Sequence, residues 1–76
     1  MSNGLIDLYD EEIPWPDNLP ENMRDSISRL ETYREKNLIA EYEMEVGMLE
    51  MLGKTEEIFG KITEKQLYDI FDKVGI

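Results

Sequence analysis

One long amphipathic stretch, residues 18–52, constrains the fold of this chain more than any other feature of its sequence. Its apolar residues recur at steps of three, four and occasionally five, which keeps their side chains on one slowly drifting face of a helix. These residues, called the main stripe below, are Leu19, Met23, Ile27, Leu30, Tyr33, Leu38, Tyr42, Val46, Leu49 and Leu52. The pattern predicts an all-α fold in which the remaining segments cover the main stripe.

Residues 18–52 form either one long helix or two shorter ones. A single helix would be about 50 Å long at 1.5 Å per residue, which is long for a chain of 76 residues. Residues 35–37 contain no apolar side chain, and Asn37 can adopt the left-handed conformation that ends a helix. Residues 23–36 carry a net charge of +1 and residues 37–53 one of −4, which suits antiparallel packing within one chain or between two. We favour two helices.

Short-range signals predict where these helices begin and end. Asn18, with Glu21 three residues later, predicts a capping box at the start of the first helix. Gly53 predicts the end of the second helix. Residues 55–59 should then form a separate single turn with its apolar side chains in the core.

The last segment carries the most complete helix pattern. Thr63 and Gln66 predict a capping box, four apolar residues follow at helical spacing, and Gly75 stands where helices commonly end. We expect a helix over residues 64–74. The predicted architecture is a small three-helix arrangement, in which a helical hairpin or a long bent helix is followed by this short C-terminal helix.

The beginning of the chain predicts an acidic N-terminal arm, residues 1–17, in front of a single helical domain, residues 18–76. Residues 5–13 mix apolar and acidic side chains over too short a length to separate a helical turn from an extended segment. The segment Pro14-Trp15-Pro16 favours extended backbone, because a proline disfavours helical conformation in the residue before it. Trp15 either caps the core of its own chain or serves as an anchor for a partner.

The residue inventory argues against catalysis and against bound cofactors or metals. The chain has no cysteine and no histidine, which removes thiolate chemistry, disulfides, the commonest metal ligand and the usual general base at neutral pH. Carboxylates are abundant, but Glu41, Glu43 and Glu45 are two residues apart, so neighbours point in opposite directions on a helix. We expect these acids to form a solvated face, and we predict a non-enzymatic protein.

Binding is the function that the sequence favours. A chain this short buries only a modest core and commonly relies on a partner for stability. An additional apolar row, Met44, Met48 and Met51, lies beside the main stripe, and a helix that is apolar on two sides needs cover on both. We predict a protein-interaction or assembly module that binds itself as a homodimer, a basic protein, or both. Its predicted contact residues are Tyr9, Trp15 and the methionine row, and the alternative for the three methionines is ordinary filling of the core.

A second hypothesis follows from the net charge of −10. Such a charge opposes binding to nucleic acids and anionic membranes and favours a basic partner. In size and charge the chain is similar to small acidic proteins of bacteriophages and mobile elements, including anti-restriction and anti-CRISPR proteins. That similarity implies an acidic mimic that occupies the nucleic-acid site of a basic protein, although arginines between residues 24 and 34 interrupt the acidic field.

The N-terminal arm offers a third mode of binding. The segment Ile6-Asp7-Leu8-Tyr9 resembles the core of the peptides that dock into the bacterial sliding clamp, without the glutamine that usually precedes that core. The alternative is that Leu8 and Tyr9 pack on the chain's own helices.

We expect a cytoplasmic location. The sequence does not open with a basic segment followed by an apolar one, as a signal peptide would. No apolar run approaches the roughly 20 residues that a membrane span needs.

Overall fold

The structure, a computed structural model, describes residues 4–76 and is all-α over that range. It contains one turn of 3-10 helix, Gly4–Leu8, and three α-helices: α1 (Glu21–Glu35), α2 (Ile39–Ile58) and α3 (Glu64–Val74). α1 and α2 form a hairpin, α3 packs against α2, and the 3-10 turn lies against α2 and α3. The predicted small three-helix fold is confirmed. Residues 1–3 of the predicted arm lie outside the described residues.

The core is built from the main stripe and the apolar side of α3. Met23 and Leu30 of α1 are fully buried, as are Tyr42 and Leu49 of α2. The remaining buried apolar residues are Leu19, Val46, Ile62, Leu67, Ile70 and Val74. Removal of this apolar surface from water is the main favourable contribution to folding, so the long amphipathic stretch does organise the molecule.

The turn between α1 and α2 shows that residues 18–52 contain two helices rather than one. Asn37 has a φ of 56°, the left-handed conformation that asparagine adopts more readily than most residues. The amides of Asn37 and Leu38 donate to the carbonyls of Arg34 and Tyr33, at 3.1 and 2.9 Å. These hydrogen bonds satisfy the last carbonyls of α1 while the chain reverses direction.

The predicted cap at the start of α1 is wrong. α1 begins at Glu21, with Pro20 in the N-cap position, where the proline side chain makes no capping hydrogen bond. Because Pro20 disfavours helical conformation at Leu19, Asn18 lies outside the helix, where it adopts a left-handed φ of 61°. The amide of Met23 donates to the side-chain oxygen of Asn22 at 2.8 Å and to the carbonyl of Pro20 at 3.1 Å.

The predicted end of α2 at Gly53 is also wrong, because α2 continues to Ile58. Gly53 is buried, and a Cβ atom built on it would lie only 2.7 Å from Cδ1 of Leu67. The missing side chain therefore permits close packing of α3 against α2 rather than a helix end. Residues 55–59 close α2 instead of forming a separate turn, and both Ile58 and Phe59 are exposed rather than in the core.

α3 begins and ends as predicted. The Thr63 hydroxyl accepts a hydrogen bond from the Gln66 amide at 3.1 Å, and the Gln66 side-chain oxygen accepts one from the Thr63 amide at 2.7 Å, which completes the capping box. Gly75 follows α3 with a left-handed φ of 85°, and its amide donates to the carbonyl of Phe71. The side-chain amide of Gln66 also donates to the carbonyl of Asp17, at 2.9 Å.

The segment before α1 is attached to the helices through Lys73 of α3. The Lys73 ammonium donates to the carbonyl of Asp10 at 3.0 Å and to the carbonyl of Ile13. In return, the Asp10 amide donates to the Lys73 carbonyl at 2.8 Å. Lys73 is only 3% exposed, so these carbonyls rather than solvent satisfy its charge. Nearer the chain start, the Leu5 amide donates to the Glu43 carboxylate at 3.0 Å.

Candidate protein-interaction site

The outer face of α2 carries a row of exposed apolar side chains. Met44 is 76% exposed, Met48 45%, Met51 59% and Ile58 78%. Together with Thr55 these positions are separated by four, three, four and three residues, which is the spacing of a coiled-coil seam. We call these five residues the outer stripe. It is about 21 Å long at 1.5 Å per residue.

The outer stripe lies on the side of α2 that faces away from the core. Tyr42, Val46, Leu49 and Gly53 are buried against the neighbouring helices. Each residue of the outer stripe stands two positions after a buried residue of α2, which is a rotation of about 200° around a helix. The chain therefore covers one apolar side of α2 and leaves the other side uncovered. The methionine row is not part of the core.

Two shallow depressions lie along the outer stripe. The larger, of about 350 Å³, is lined by Gly47, Glu50, Met51, Lys54, Thr55 and Ile58. The smaller, of about 170 Å³, is lined by Tyr33, Glu41, Met44, Glu45 and Met48. A Cβ atom built on Gly47 would have no neighbour within 4 Å, so another backbone can approach α2 closely at this position. Alternating side chains and depressions are the surface that an incoming helix packs against.

The charged residues of α2 are mostly acidic. The helix carries six glutamates and a single base, Lys54. The Lys54 ammonium donates to the carboxylate of Glu50, one turn earlier, at 2.8 Å. Glu41 and Glu43 are exposed. The outer stripe therefore has an acidic rim, in which the one positive charge is already paired.

Glu45 does not lie on the solvated face that the sequence predicted for it. It is buried between α1 and α2, where it accepts hydrogen bonds from the Ser26 hydroxyl at 2.6 Å and from Arg29 at 3.0 and 3.2 Å. The hydrogen bond and the charge of Glu45 raise the pKa of Arg29. Glu45 lies one turn after Tyr42, on the side of α2 that meets α1, and the two polar partners on α1 make its burial tolerable. Glu41 and Glu43 are exposed, as predicted.

Tyr9 and Trp15, the other predicted contact residues, lie in a different setting from the methionines. Their rings meet edge to face with 6.4 Å between centroids, and both pack against the core. The Lys73 ammonium lies 4.4 Å from the Tyr9 ring centroid and 5.2 Å from that of Trp15, while the Arg34 guanidinium lies 3.9 Å from the Tyr9 ring. Cation–π contacts of this kind add to the attachment of the arm.

The segment that resembles clamp-binding peptides is folded onto the helices. Ile6 and Tyr9 pack against the core, whereas Leu8 is exposed. Leu8 still lies beside the end of α3, where a Cβ atom built on Gly75 would overlap the Leu8 side chain. Docking of this segment into another protein would therefore require its release from α2 and α3.

Two tyrosines near the arm titrate at unusually high pH. Burial, followed by the nearby carboxylate of Glu31, raises the pKa of Tyr9. Burial also raises the pKa of Tyr42 to about 12, with Arg34 opposing the shift and Glu31 adding to it. The Tyr42 hydroxyl has no hydrogen-bond partner among the described residues. Both shifts favour the neutral phenol, as burial of the ring does in general.

The sequence prediction missed two features of this region. The outer stripe extends to Ile58. The alternating spacing of four and three residues continues past Gly53 in the sequence and was the signal for this extension. Lys73 is buried and attaches the arm to α3. The sequence indicates its burial only through its position three residues after Ile70, on the apolar side of α3.

Neither a membrane-spanning helix nor a metal-binding cluster is found within residues 4–76. No helix in this range combines the length and the apolar character that crossing a membrane requires. No three acidic side chains of the same range come together in a way that would hold a metal ion.

Comparison with known proteins adds no further site. No protein-family model matches the chain. Neither the curated proteins nor the solved structures contain a match. The candidate site therefore rests on the geometry and chemistry of the chain itself.

Proposed function

We propose that this chain is a small acidic protein-interaction module, without enzymatic activity, whose main contact surface is the outer stripe of α2. The observation that carries this proposal is the uncovered row of apolar side chains at coiled-coil spacing. Contiguous exposed apolar surface on a small protein is commonly a site of protein association. These side chains do not contribute to the core, because the core lies on the other side of α2, where α1 and α3 pack.

The partner in this proposal is either a second copy, as in a homodimer, or a basic protein, and the proposed site of action is the cytoplasm. Methionine suits such a contact because its flexible, polarisable side chain adapts to irregular surfaces. Trp15 and Tyr9 contribute indirectly by fixing the arm to the helices. A partner could also contact them at the surface that they leave exposed.

The proposal is tested by the double substitution Met48→Gln and Met51→Gln, which keeps side-chain length and helix propensity while removing the apolar seam. Tyr68→Gln is the matched control, since Tyr68 is an exposed apolar residue on α3. The unchanged chain, the double variant and the Tyr68→Gln control are compared by light scattering on a sizing column. Each is also used to capture binding proteins from a lysate of the cells that produce the chain. We expect the double variant to lose a dimer or a captured protein that the control retains. Equal behaviour of all three proteins would refute the proposed contact surface.

A second candidate function is mimicry of a nucleic acid. The mimicking surface would be formed by exposed acids such as Asp7, Asp10, Glu11, Glu12, Asp17, Glu21, Glu41, Glu43 and Glu64. Burial of Glu45 and Glu56 and the ion pair between Glu11 and Arg34 reduce that surface. A mimic should release its partner steeply as salt rises, because screening weakens exposed charge pairs. At 0.5 M salt the screening length falls to roughly 4 Å. A partner that stays bound at this salt concentration would exclude nucleic-acid mimicry.

A further inference from the structure

The outer stripe and its rim together indicate what kind of partner covers α2. We infer that the occupant is an amphipathic helix with an apolar seam flanked by lysine or arginine. This inference rests on the proposed function and deepens it. Three observations carry it: the periodicity of the stripe, the depressions along it, and the sign of the charge beside it.

The periodicity selects a helix as the occupant. Spacings of four and three residues from Met44 to Ile58 allow a partner helix to remain in register over the whole stripe. A partner of about 14–15 residues would match this length of about 21 Å. The open space at Gly47 and the depression beside Met51 can receive its larger side chains.

The charge beside the stripe selects a basic rim on that helix. Glu41 lines the smaller depression and Glu50 lines the larger one. Glu43 and Glu57 lie on the same helix, and Lys54 is already paired with Glu50. Lysines or arginines flanking the seam of a partner would meet the carboxylate of Glu41 at the smaller depression, which forms no ion pair among the described residues, whereas Glu50 at the larger one is already paired with Lys54. Complementary charges of this kind raise the association rate and set specificity.

The same charges disfavour a second copy as the occupant. Two copies packed through α2 would bring two acidic rims together, and each chain carries a net charge of −10. Like charges across an interface oppose association. A basic helix would instead place positive charges beside a helix that carries six glutamates and one lysine.

Designed peptides of 18 residues test this inference. One places leucine at seam positions and lysine and arginine on both sides; the second carries glutamate at the same flanking positions. Fluorescence anisotropy of the labelled peptides, measured at 50 mM salt, should show binding of the basic-rim peptide at least about tenfold tighter than that of the acidic-rim peptide. Salt at 0.5 M should reduce this ratio. Met48→Gln with Met51→Gln should weaken binding of the basic-rim peptide at least about tenfold, and Tyr68→Gln less than about twofold.

Each alternative outcome overturns the inference in a recognisable way. Equal binding of both peptides would show that the rim is not recognised. A dimer in sedimentation equilibrium that the Met48→Gln and Met51→Gln pair abolishes would show that a second copy occupies the stripe, and the proposed contact surface would then stand while the inference fails. Binding of neither peptide by a monomeric chain would refute the basic helix, and capture from lysate would then decide the proposed function separately. Circular dichroism confirms that the variants fold.

Discussion

Replacement of Lys73 by methionine is the sharpest test of how the N-terminal arm is attached. Lys73→Met keeps the aliphatic length of the side chain and removes its ammonium. The carbonyls of Asp10 and Ile13 then lose a charged donor, and the rings of Tyr9 and Trp15 lose a cation. The matched control is Lys65→Met on the same helix, because Lys65 is exposed and, within residues 4–76, forms an ion pair with Asp69 alone, one turn away.

The expected magnitude follows from the burial of Lys73. A hydrogen bond that involves a charged group contributes about 1.5–3 kcal/mol, and two such bonds are lost. The cost of burying the ammonium offsets part of this loss, so we expect the free energy of unfolding to fall by about 2 kcal/mol. For a domain of this size that corresponds to a Tm lower by roughly 8–16 °C. Lys65→Met should change the free energy by less than about 0.5 kcal/mol.

Two measurements together check the prediction. Urea unfolding followed by circular dichroism gives the free energy of the whole chain. Emission of Trp15, the only tryptophan, reports the arm, and we expect it to shift to longer wavelength in Lys73→Met before the helices unfold. Equal free energies and equal emission for the two variants would refute the role assigned to Lys73.

Three further substitutions test the packing of α2 by urea unfolding. Gly47→Ala should stabilise the chain by up to about 1 kcal/mol, because it improves helix propensity in open space. Gly53→Ala should destabilise it by about 1 kcal/mol, because the new Cβ atom meets Leu67 at 2.7 Å; equal signs for the two glycines would contradict this packing. The pKa of Tyr42 is raised from 10.0 to about 12 in the folded chain, so Tyr42 ionises at lower pH in the unfolded chain than in the folded one. The contribution of Tyr42 to the free energy of unfolding is therefore complete below pH 10 and lost by about pH 12. Tyr42→Phe should therefore weaken the fall in stability between pH 10 and 12, and an unchanged slope would refute the assignment.

The elements that the sequence predicted well are those specified by local pattern. The capping box of Thr63 and Gln66 and the left-handed Gly75 involve residues a few positions apart, so their interaction is visible in the sequence. The hairpin at Asn37 was predictable for the same reason, since a polar interval and a residue tolerant of positive φ coincide there. The spacing of the main stripe was enough to predict the part of the core that α1 and α2 contribute.

The cap predicted at Asn18 failed for a local reason, the nearby Pro20, whereas the other errors arose where contacts distant in sequence determine the structure. Gly53 resembles a helix end, but its role depends on Leu67, fourteen residues later. The burial of Glu45 depends on Ser26 and Arg29 across the hairpin, and nothing near Glu45 in the sequence indicates it. Lys73 is the extreme case, because its partners lie at the other end of the chain.

The candidate site was predicted in part. The methionine row was identified from its position beside the main stripe, while the decision between core and surface required the structure. The methionine row and the main stripe are both apolar, so the sequence does not indicate which of them packs against α1 and α3 and which faces solvent. Trp15 and Tyr9 were identified as contact residues, and the structure places them against the core with Lys73, which no local pattern indicates. Whether either residue also contacts a partner remains a prediction.

Methionine methyl groups offer the most direct test of the central claim that the outer stripe of α2 is a contact surface. With ¹³C-methyl methionine, NMR titration with the basic-rim peptide follows Met44, Met48 and Met51 alongside Met23, which is fully buried in the core. The account predicts that the three methyl signals of α2 shift and that the Met23 signal does not. Unchanged signals from α2 at saturating peptide, or an equal response from Met23, would contradict it.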